Sequence, residues 1–230
     1  MCGRYAITLP PEAVRGYFKY VEQPNFPPRY NIAPTQPVPI VVARRTGAEA
    51  ASRHFMLVRW GFLPGFVKDT KTFPLLINAR SESVMSKPSF RNAFRRRRCL
   101  FIMDGYYEWQ ARGAKMPKQA YLLRRPDHGL FGVAGIWETH ISADGGEIDT
   151  ACLLTTSANA AIGFVHDRMP VILDPGDFDL WLDLDETQYA RAEPLLRPAN
   201  DDYLTATAIG PAINKAGNEG AYVQHPMDAS

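Results

Sequence analysis

Short apolar runs punctuated by glycine, proline and asparagine recur along most of this chain, and that punctuation leaves little room for long helices. Residues 38–43 and 52–60 read as two strands of a hairpin across a turn near Gly47. Residues 75–78 form a brief further strand, and 99–103 a buried one that ends at Asp104-Gly105, a hairpin-turn signal, before Tyr106-Tyr107-Glu108-Trp109. Strands follow at 119–123, 130–137, 148–156 and 171–173, with turn-rich segments such as Ala143-Asp144-Gly145-Gly146 between them. Helical spacing is confined to short stretches: Pro10-Pro11 with Val14, Tyr17 and Phe18, the residues from Ser89, Asp174-Pro175 with Phe178, Trp181 and Leu182, and 186–196. The predicted class is α+β, with a mainly antiparallel, barrel-like β core and flanking helices.

With 230 residues, 46% of them hydrophobic, the chain can bury a full core. No internal repeat or composition shift divides it, so a single domain is expected over 1–230, with the tail after His225 loose. No apolar run approaches the roughly 18 residues that span a bilayer, and the start lacks a signal-peptide pattern. A cytoplasmic protein without a membrane partner is expected. Cys2, Cys99 and Cys152 are odd in number and widely spaced, without a CxxC pair, which argues against a zinc site or a disulfide framework. No metal or cofactor is expected. Twenty-six basic residues against 24 acidic ones leave a net charge of only +2, so any binding to phosphate has to come from local clustering.

The chain opens Met1-Cys2-Gly3-Arg4-Tyr5, and removal of Met1 would leave an amino-terminal cysteine, a 1,2-aminothiol. Its amine and thiol have reference pKa values of about 7.7–8.0 and about 8.5, so both nucleophiles are within reach near neutral pH. An amine attacks an aldehyde to give a reversible imine, and a thiol two carbons away closes that imine into a thiazolidine ring. By position alone, the plainer reading of Cys2 is a small buried apolar residue.

Other polar groups gather where strands end. Asn78-Ala79-Arg80-Ser81-Glu82 follows one brief strand, and His166-Asp167-Arg168 precedes another, with alternation placing His166 and Arg168 on one face. Glu108 alternates with aromatic residues, surroundings in which a partly desolvated carboxylate suits general-acid work. Trp60-Gly61-Phe62-Leu63-Pro64-Gly65-Phe66 either presents rings to a base or covers the core. Arg91 and Arg95 to Arg98 are the densest positive charge, readable as a solvated face or as phosphate contacts.

Together these segments resemble the SOS response-associated peptidase (SRAP) family of abasic-site-sensing proteins. The resemblance is carried in order by Met1-Cys2-Gly3-Arg4-Tyr5, Tyr30-Asn31-Ile32-Ala33-Pro34-Thr35, Trp60-Gly61-Phe62-Leu63-Pro64, Ile77-Asn78-Ala79-Arg80-Ser81-Glu82, Asp104-Gly105-Tyr106-Tyr107-Glu108-Trp109 and His166-Asp167-Arg168-Met169-Pro170-Val171. It implies a self-processing protein of the DNA damage response that crosslinks to abasic sites in single-stranded DNA through a thiazolidine on Cys2, with weak lyase activity at most. By the same resemblance Asn78 orients the terminal amine, Glu108 transfers protons, and His166 assists sugar-ring opening. Arg80 and Arg168 hold phosphates, Arg4 and Asn31 complete the site floor, and Trp109 stacks beside the DNA. A monomer is expected, with replication-fork proteins as candidate partners.

Two departures from the family pattern stand out. Phe66 and Val67 occupy positions where many members carry tryptophan, which weakens an aromatic wedge between strands, and Phe101-Ile102-Met103 alters packing near Glu108. Two other functions fit parts of the chain: an amino-terminal-nucleophile glutamine amidohydrolase, although the Arg-Gly-Pro-Asp substrate motif of such enzymes is absent, and a non-covalent reader of single-stranded or modified DNA.

Overall fold

The computed structural model of the chain describes residues 2–45, 51–114, 116–142, 144–183, 185 and 187–227. Its strands and helices in chain order are β1 (Tyr5–Ile7), α1 (Pro11–Phe18), β2 (Arg29–Ile32), β3 (Pro37–Arg44), β4 (Ser52–Trp60), β5 (Asn78–Arg80), α2 (Arg91–Arg96), β6 (Arg98–Met103), β7 (Gly105–Gln110), β8 (Gln119–Arg124), β9 (Phe131–Ile141), β10 (Glu147–Ser157), β11 (Arg168–Pro170), β12 (Ile172–Leu173), α3 (Phe178–Trp181) and β13 (Thr205–Ala208). Short 3-10 turns complete it, among them Pro211–Asn214.

Five strands close on themselves. β3 pairs antiparallel with β4 and β6, β6 with β9, and β9 with β10; β10 returns to β4 in parallel, Thr150 opposite Arg59 and Ala151 opposite Trp60. Closure of this kind removes free edges from the centre of the molecule. β4 and β5 lie end to end along one edge of β10, because Asn78, Ala79 and Arg80 continue the parallel ladder opposite Leu153, Leu154 and Thr155. The second sheet, in the order β13-β8-β7-β1-β2, holds the amino terminus.

The two sheets share a core. The Tyr5 ring of β1 meets Trp60 edge-on at 5.2 Å and Phe101 at 6.4 Å, all three residues fully buried. Phe101 can lie across β9 because residue 135 is glycine; a Cβ there would stand 2.6 Å from the Phe101 ring. The Phe101 departure therefore acts through packing behind Tyr5.

The antiparallel, barrel-like architecture agrees with expectation, and the 38–43 and 52–60 hairpin is β3–β4, paired from Pro37 opposite Arg59 to Arg44 opposite Ser52. Its turn near Gly47, like Ala143, lies outside the described residues. Asp104-Gly105 is not a hairpin turn: β6 belongs to the barrel and β7 to the second sheet, and the chain changes sheets at this point. The buried Asp104 carboxylate accepts hydrogen bonds from the Thr8 amide, the Thr8 hydroxyl (2.8 Å) and the Leu9 amide (3.0 Å), so it fastens the end of β1 where β7 begins. Burial holds the Asp104 pKa above the usual range despite those donors. The strand expected at 75–78 begins only at Asn78, where pairing with β10 starts. Of the helix expected at 186–196, Glu186 lies outside the described residues, and 189–195 is a 3-10 turn interrupted by Pro194. No helix among the described residues is long and apolar enough to cross a membrane.

Candidate functional site

The ladder between β1 and β7 continues toward the amino terminus: the Tyr107 amide donates to the Arg4 carbonyl at 2.9 Å, and Cys2 Sγ donates to the same oxygen at 3.8 Å. Cys2 is 1% exposed. Asn78, the first residue of β5, donates from Nδ2 to the Cys2 carbonyl at 3.0 Å, while its own Oδ1 is buried without a hydrogen-bond partner among the described residues. Burial first, and the Glu108 carboxylate second, push the Cys2 thiol pKa well up, so the sulfur is a protonated thiol at neutral pH. The same two neighbours, Cys2 and Glu108, add to the burial that raises the pKa of the Tyr106 phenol. Cys2, Asn78, Tyr106 and Glu108 thus converge where β1, β5 and β7 meet.

Glu108 is buried, and its position on β7 brings it to the wall of an open groove of about 410 Å³, lined with it by Trp109, Lys118, His166 and Asn214. Trp109 Nε1 donates to Asn214 Oδ1 at 2.7 Å, which fixes the indole against the turn at Pro211–Asn214. The loop ahead of His166 is tied to β7 and β8: Gln110 Nε2 donates to the Phe164 carbonyl at 3.0 Å, and the Tyr121 ring meets Phe164 at right angles. His166 Nδ1 accepts the Arg168 amide at 3.0 Å and lies 2.8 Å from Asp167 Oδ1.

The basic residues divide into spent and available. Arg4 donates to Asn31 Oδ1 (2.7 Å) and the Ile213 carbonyl (3.0 Å); burial lowers its pKa. Asn31, fully buried, gives both Nδ2 protons to the Lys215 and Asn218 carbonyls. The pair ties the start of β1 and β2 to the segment 213–218, which carries Asn214, and the Asn31 side chain is fully buried. Arg80 is exposed at the end of β5. His166 precedes β11 in a loop, so strand alternation does not govern its direction; the Arg168 guanidinium forms a two-pronged pair with Glu82 and reaches the Thr155 carbonyl at 2.6 Å. That pair holds the Glu82 pKa at about 2.

The arginine run is likewise not one solvated face. Arg98, 5% exposed, donates to the carbonyls of Phe94, Arg95, Trp181 and Asp183 and is a structural residue of the core. Arg97 pairs with Glu138 and lies over the Trp137 ring, and Arg95 lies over Tyr189. In the aromatic loop, Trp60 and Phe62 are core, whereas Phe66 is 61% exposed with Val67 buried beside it. Lys118 and Asn214 were not singled out by sequence: each stands outside any motif and reaches Glu108 only through tertiary contacts. No cluster of His, Cys, Asp or Glu among the described residues is placed to hold a metal.

The fold and this terminus define a class, barrel-centred proteins in which a polar groove opens beside the chain's own amino terminus. The profile of the SOS response associated peptidase (SRAP) family matches residues 1–216, and the chain belongs to that family. It is 29% identical over 221 residues to the abasic site processing protein YoqW of Bacillus subtilis, covering 95% of this chain and 96% of that one. It is also 29% identical to the abasic site processing protein HMCES of Gallus gallus, over 87% of this chain and 71% of that one. A solved structure of a protein from Bacteroides thetaiotaomicron superposes with a TM-score of 0.82 at 22% identity, over 98% of this chain and 100% of that one, which bears on the fold alone.

Proposed function

We propose that this chain processes abasic sites, and that it does so by crosslinking through Cys2 to the aldehyde of the base-free sugar in single-stranded DNA. The observation that carries the reading is the contact of Asn78 with Cys2: Nδ2 holds the Cys2 carbonyl, and the buried, unpartnered Oδ1 is left to accept an N–H from the α-amine once Met1 is removed. Family membership and the names of the relatives support the substrate class.

The chemistry follows from the residues. The freed amine attacks the open-chain aldehyde carbon; a C–N bond forms, the oxygen takes protons and leaves as water, and an imine remains. Sγ then adds to the imine carbon, and the thiol proton passes to nitrogen as the ring closes. One water is released overall. A protonated thiol suits this order, since the amine acts first and sulfur adds with its proton to be moved. Glu108, electrostatically coupled to Cys2, relays protons to the departing oxygen and from sulfur to nitrogen. His166, across the groove, assists sugar-ring opening, and the exposed Arg80 holds a flanking phosphate while Trp109 stacks beside the strand. Fast ring closure suppresses β-elimination through the imine. A glutamine amidohydrolase would use the Cys2 thiol as nucleophile and its amine as base, and the absence of the Arg-Gly-Pro-Asp substrate motif speaks against it.

The test mixes protein lacking Met1 with a single-stranded oligonucleotide bearing one abasic site and reads the product by denaturing gel and intact mass. A heat-stable adduct lighter than its parts by one water, absent with Cys2→Ala, is the expected result. No adduct from protein verified to begin at Cys2 would overturn the reading.

A further inference from the structure

Glu22, His54 and Ser52 form a hydrogen-bonded chain that shares no residue with the groove beside Cys2. His54 Nδ1 lies 2.6 Å from Glu22 Oε1, and His54 Nε2 lies 3.0 Å from Ser52 Oγ. The other carboxylate oxygen, Glu22 Oε2, accepts the Phe55 amide at 2.7 Å. Ser52 and His54 are two apart on β4, so the pleat turns both side chains to one face. The segment ahead of β2 runs along the edge of β4 that β3 leaves open: Tyr20 bridges Arg53 in parallel, and the Val21 amide donates to the Arg53 carbonyl at 3.1 Å. That path sets Glu22 beside the Phe55 amide and the imidazole.

A carboxylate only accepts, so the Nδ1 that faces Glu22 carries the ring proton. In the neutral ring Nε2 then bears the lone pair, and it faces a hydroxyl. Partial desolvation works against the charge on Glu22, but the Phe55 amide and His54 outweigh it and hold the carboxyl below its usual range. Arg44 stands directly opposite Ser52 across β3 and β4, and its Nη2 donates to Met56 Sδ at 3.3 Å, so its side chain lies along the face that Ser52 and His54 share. A hydroxyl, a base, an orienting carboxylate and a cation for charge developing on a carbonyl oxygen thus stand together. His54 is 19% and Glu22 38% exposed, so molecules in solution reach them.

We infer that Ser52 is the nucleophile of a second reactive site, which cleaves short, unhindered carboxylic esters with His54 as general base, Glu22 positioning the imidazole and Arg44 facing the oxyanion. Ser52 Oγ bonds the carbonyl carbon as its proton passes to His54 Nε2, and the alcohol oxygen leaves with that proton. Water then repeats the step on the acyl-serine: its proton goes to Nε2 and on to Ser52 Oγ, and a carboxylic acid is released. The site is independent of the crosslinking proposed above and stands or falls without it.

The test treats the intact protein with a fluorophosphonate, which phosphonylates activated serines with loss of fluoride, and separately with p-nitrophenyl acetate, and locates the modified residue by peptide mass. The phosphonate is expected on Ser52. Ester cleavage should be lost in Ser52→Ala, fall about hundredfold in His54→Ala and fall about tenfold in Arg44→Ala. Glu22→Gln reads the positioning role. The Phe55 amide can only donate, so the glutamine oxygen turns to it and the glutamine NH2 faces Nδ1; the ring proton then moves to Nε2 and Ser52 loses its base. Nitrogen-15 NMR of His54 should show that change of tautomer together with a rate loss of about tenfold or more, a pairing that a merely structural contact would not produce. An unlabelled Ser52 in folded protein, or cleavage that survives Ser52→Ala, would overturn the site and leave the three residues a clamp on β4. A tautomer change without loss of rate would overturn the role of Glu22, and a native rate in Arg44→Ala that of Arg44. If His54→Ala fails to fold, Ser52→Ala and Glu22→Gln decide.

Discussion

Asn78 and Cys2 are joined by a 3.0 Å hydrogen bond from the side-chain amide of one to the main-chain carbonyl of the other, across 76 positions of sequence. The bond ties the amino terminus to β5, a strand registered on β10 of the barrel. The terminus is thus held to a strand paired with the barrel, and Asn78 Oδ1 is buried without a hydrogen-bond partner among the described residues. Replacing Asn78 by Ala should slow adduct formation by about ten- to a hundredfold, the cost of losing one hydrogen bond to a charged or reacting group. Asn78→Asp, which brings a second carboxylate beside Glu108, should slow it at least as much. Single-turnover rates on an abasic strand check both.

Cys2→Ser separates the amine from the sulfur. The serine variant should still form an imine, trapped by borohydride, yet yield no heat-stable adduct without the trap, whereas the native chain yields one either way. Heat-stable product from the serine variant would show that ring closure through sulfur is dispensable.

Glu82 and Arg168 make a pH-dependent contact. The pair favours the carboxylate in the fold, since its pKa is about 2 there against 4.5 ordinarily. Its stabilisation is complete above the ordinary value and is lost as pH falls from 4.5 toward 2. Glu82 is 55% exposed, so solvent screens the effect and the change is small. Melting temperatures of native protein and Glu82→Gln should therefore differ slightly at neutral pH and converge near pH 2. The same substitution releases Arg168 from its ion pair and should tighten binding to undamaged single strands.

Arg98 and Arg91 belong to one basic run with opposite fates. Arg98→Ala removes the donors to four carbonyls and leaves a void beside Trp181, and it should cost about 2–4 kcal/mol in urea unfolding. Arg91 is exposed at the start of α2, and Arg91→Ala should change stability by no more than about 0.5 kcal/mol.

Phe66 is exposed in the loop where Trp60 and Phe62 are buried. Phe66→Ala should leave the melting temperature within a degree or so while weakening single-strand binding by about fivefold or more, the worth of one stacked base. Fluorescence anisotropy with undamaged and abasic strands reads the change.

Local periodicity carried most of the architecture. Alternation and turn residues placed β3, β4, β8, β9 and β10 within a few positions of where they lie, because a strand's pattern and its turns are encoded in neighbouring residues. The family was also legible, since the order of the motifs pointed to it. What the tertiary structure alone decided is which groups meet and which charges remain available. Asp104-Gly105 looks like a hairpin but passes the chain between sheets, because Thr8 and Leu9, far back in sequence, supply the partners of its carboxylate. Arg98 looks like a phosphate ligand, yet distant carbonyls claim it, and Arg168 meets Glu82 from another strand end; Lys118 and Asn214 carry no motif, yet the fold sets them in one groove with Glu108 and His166. A hydrogen bond or ion pair is satisfied by whatever lies within a few ångströms, and across a closed barrel those neighbours come from all parts of the chain.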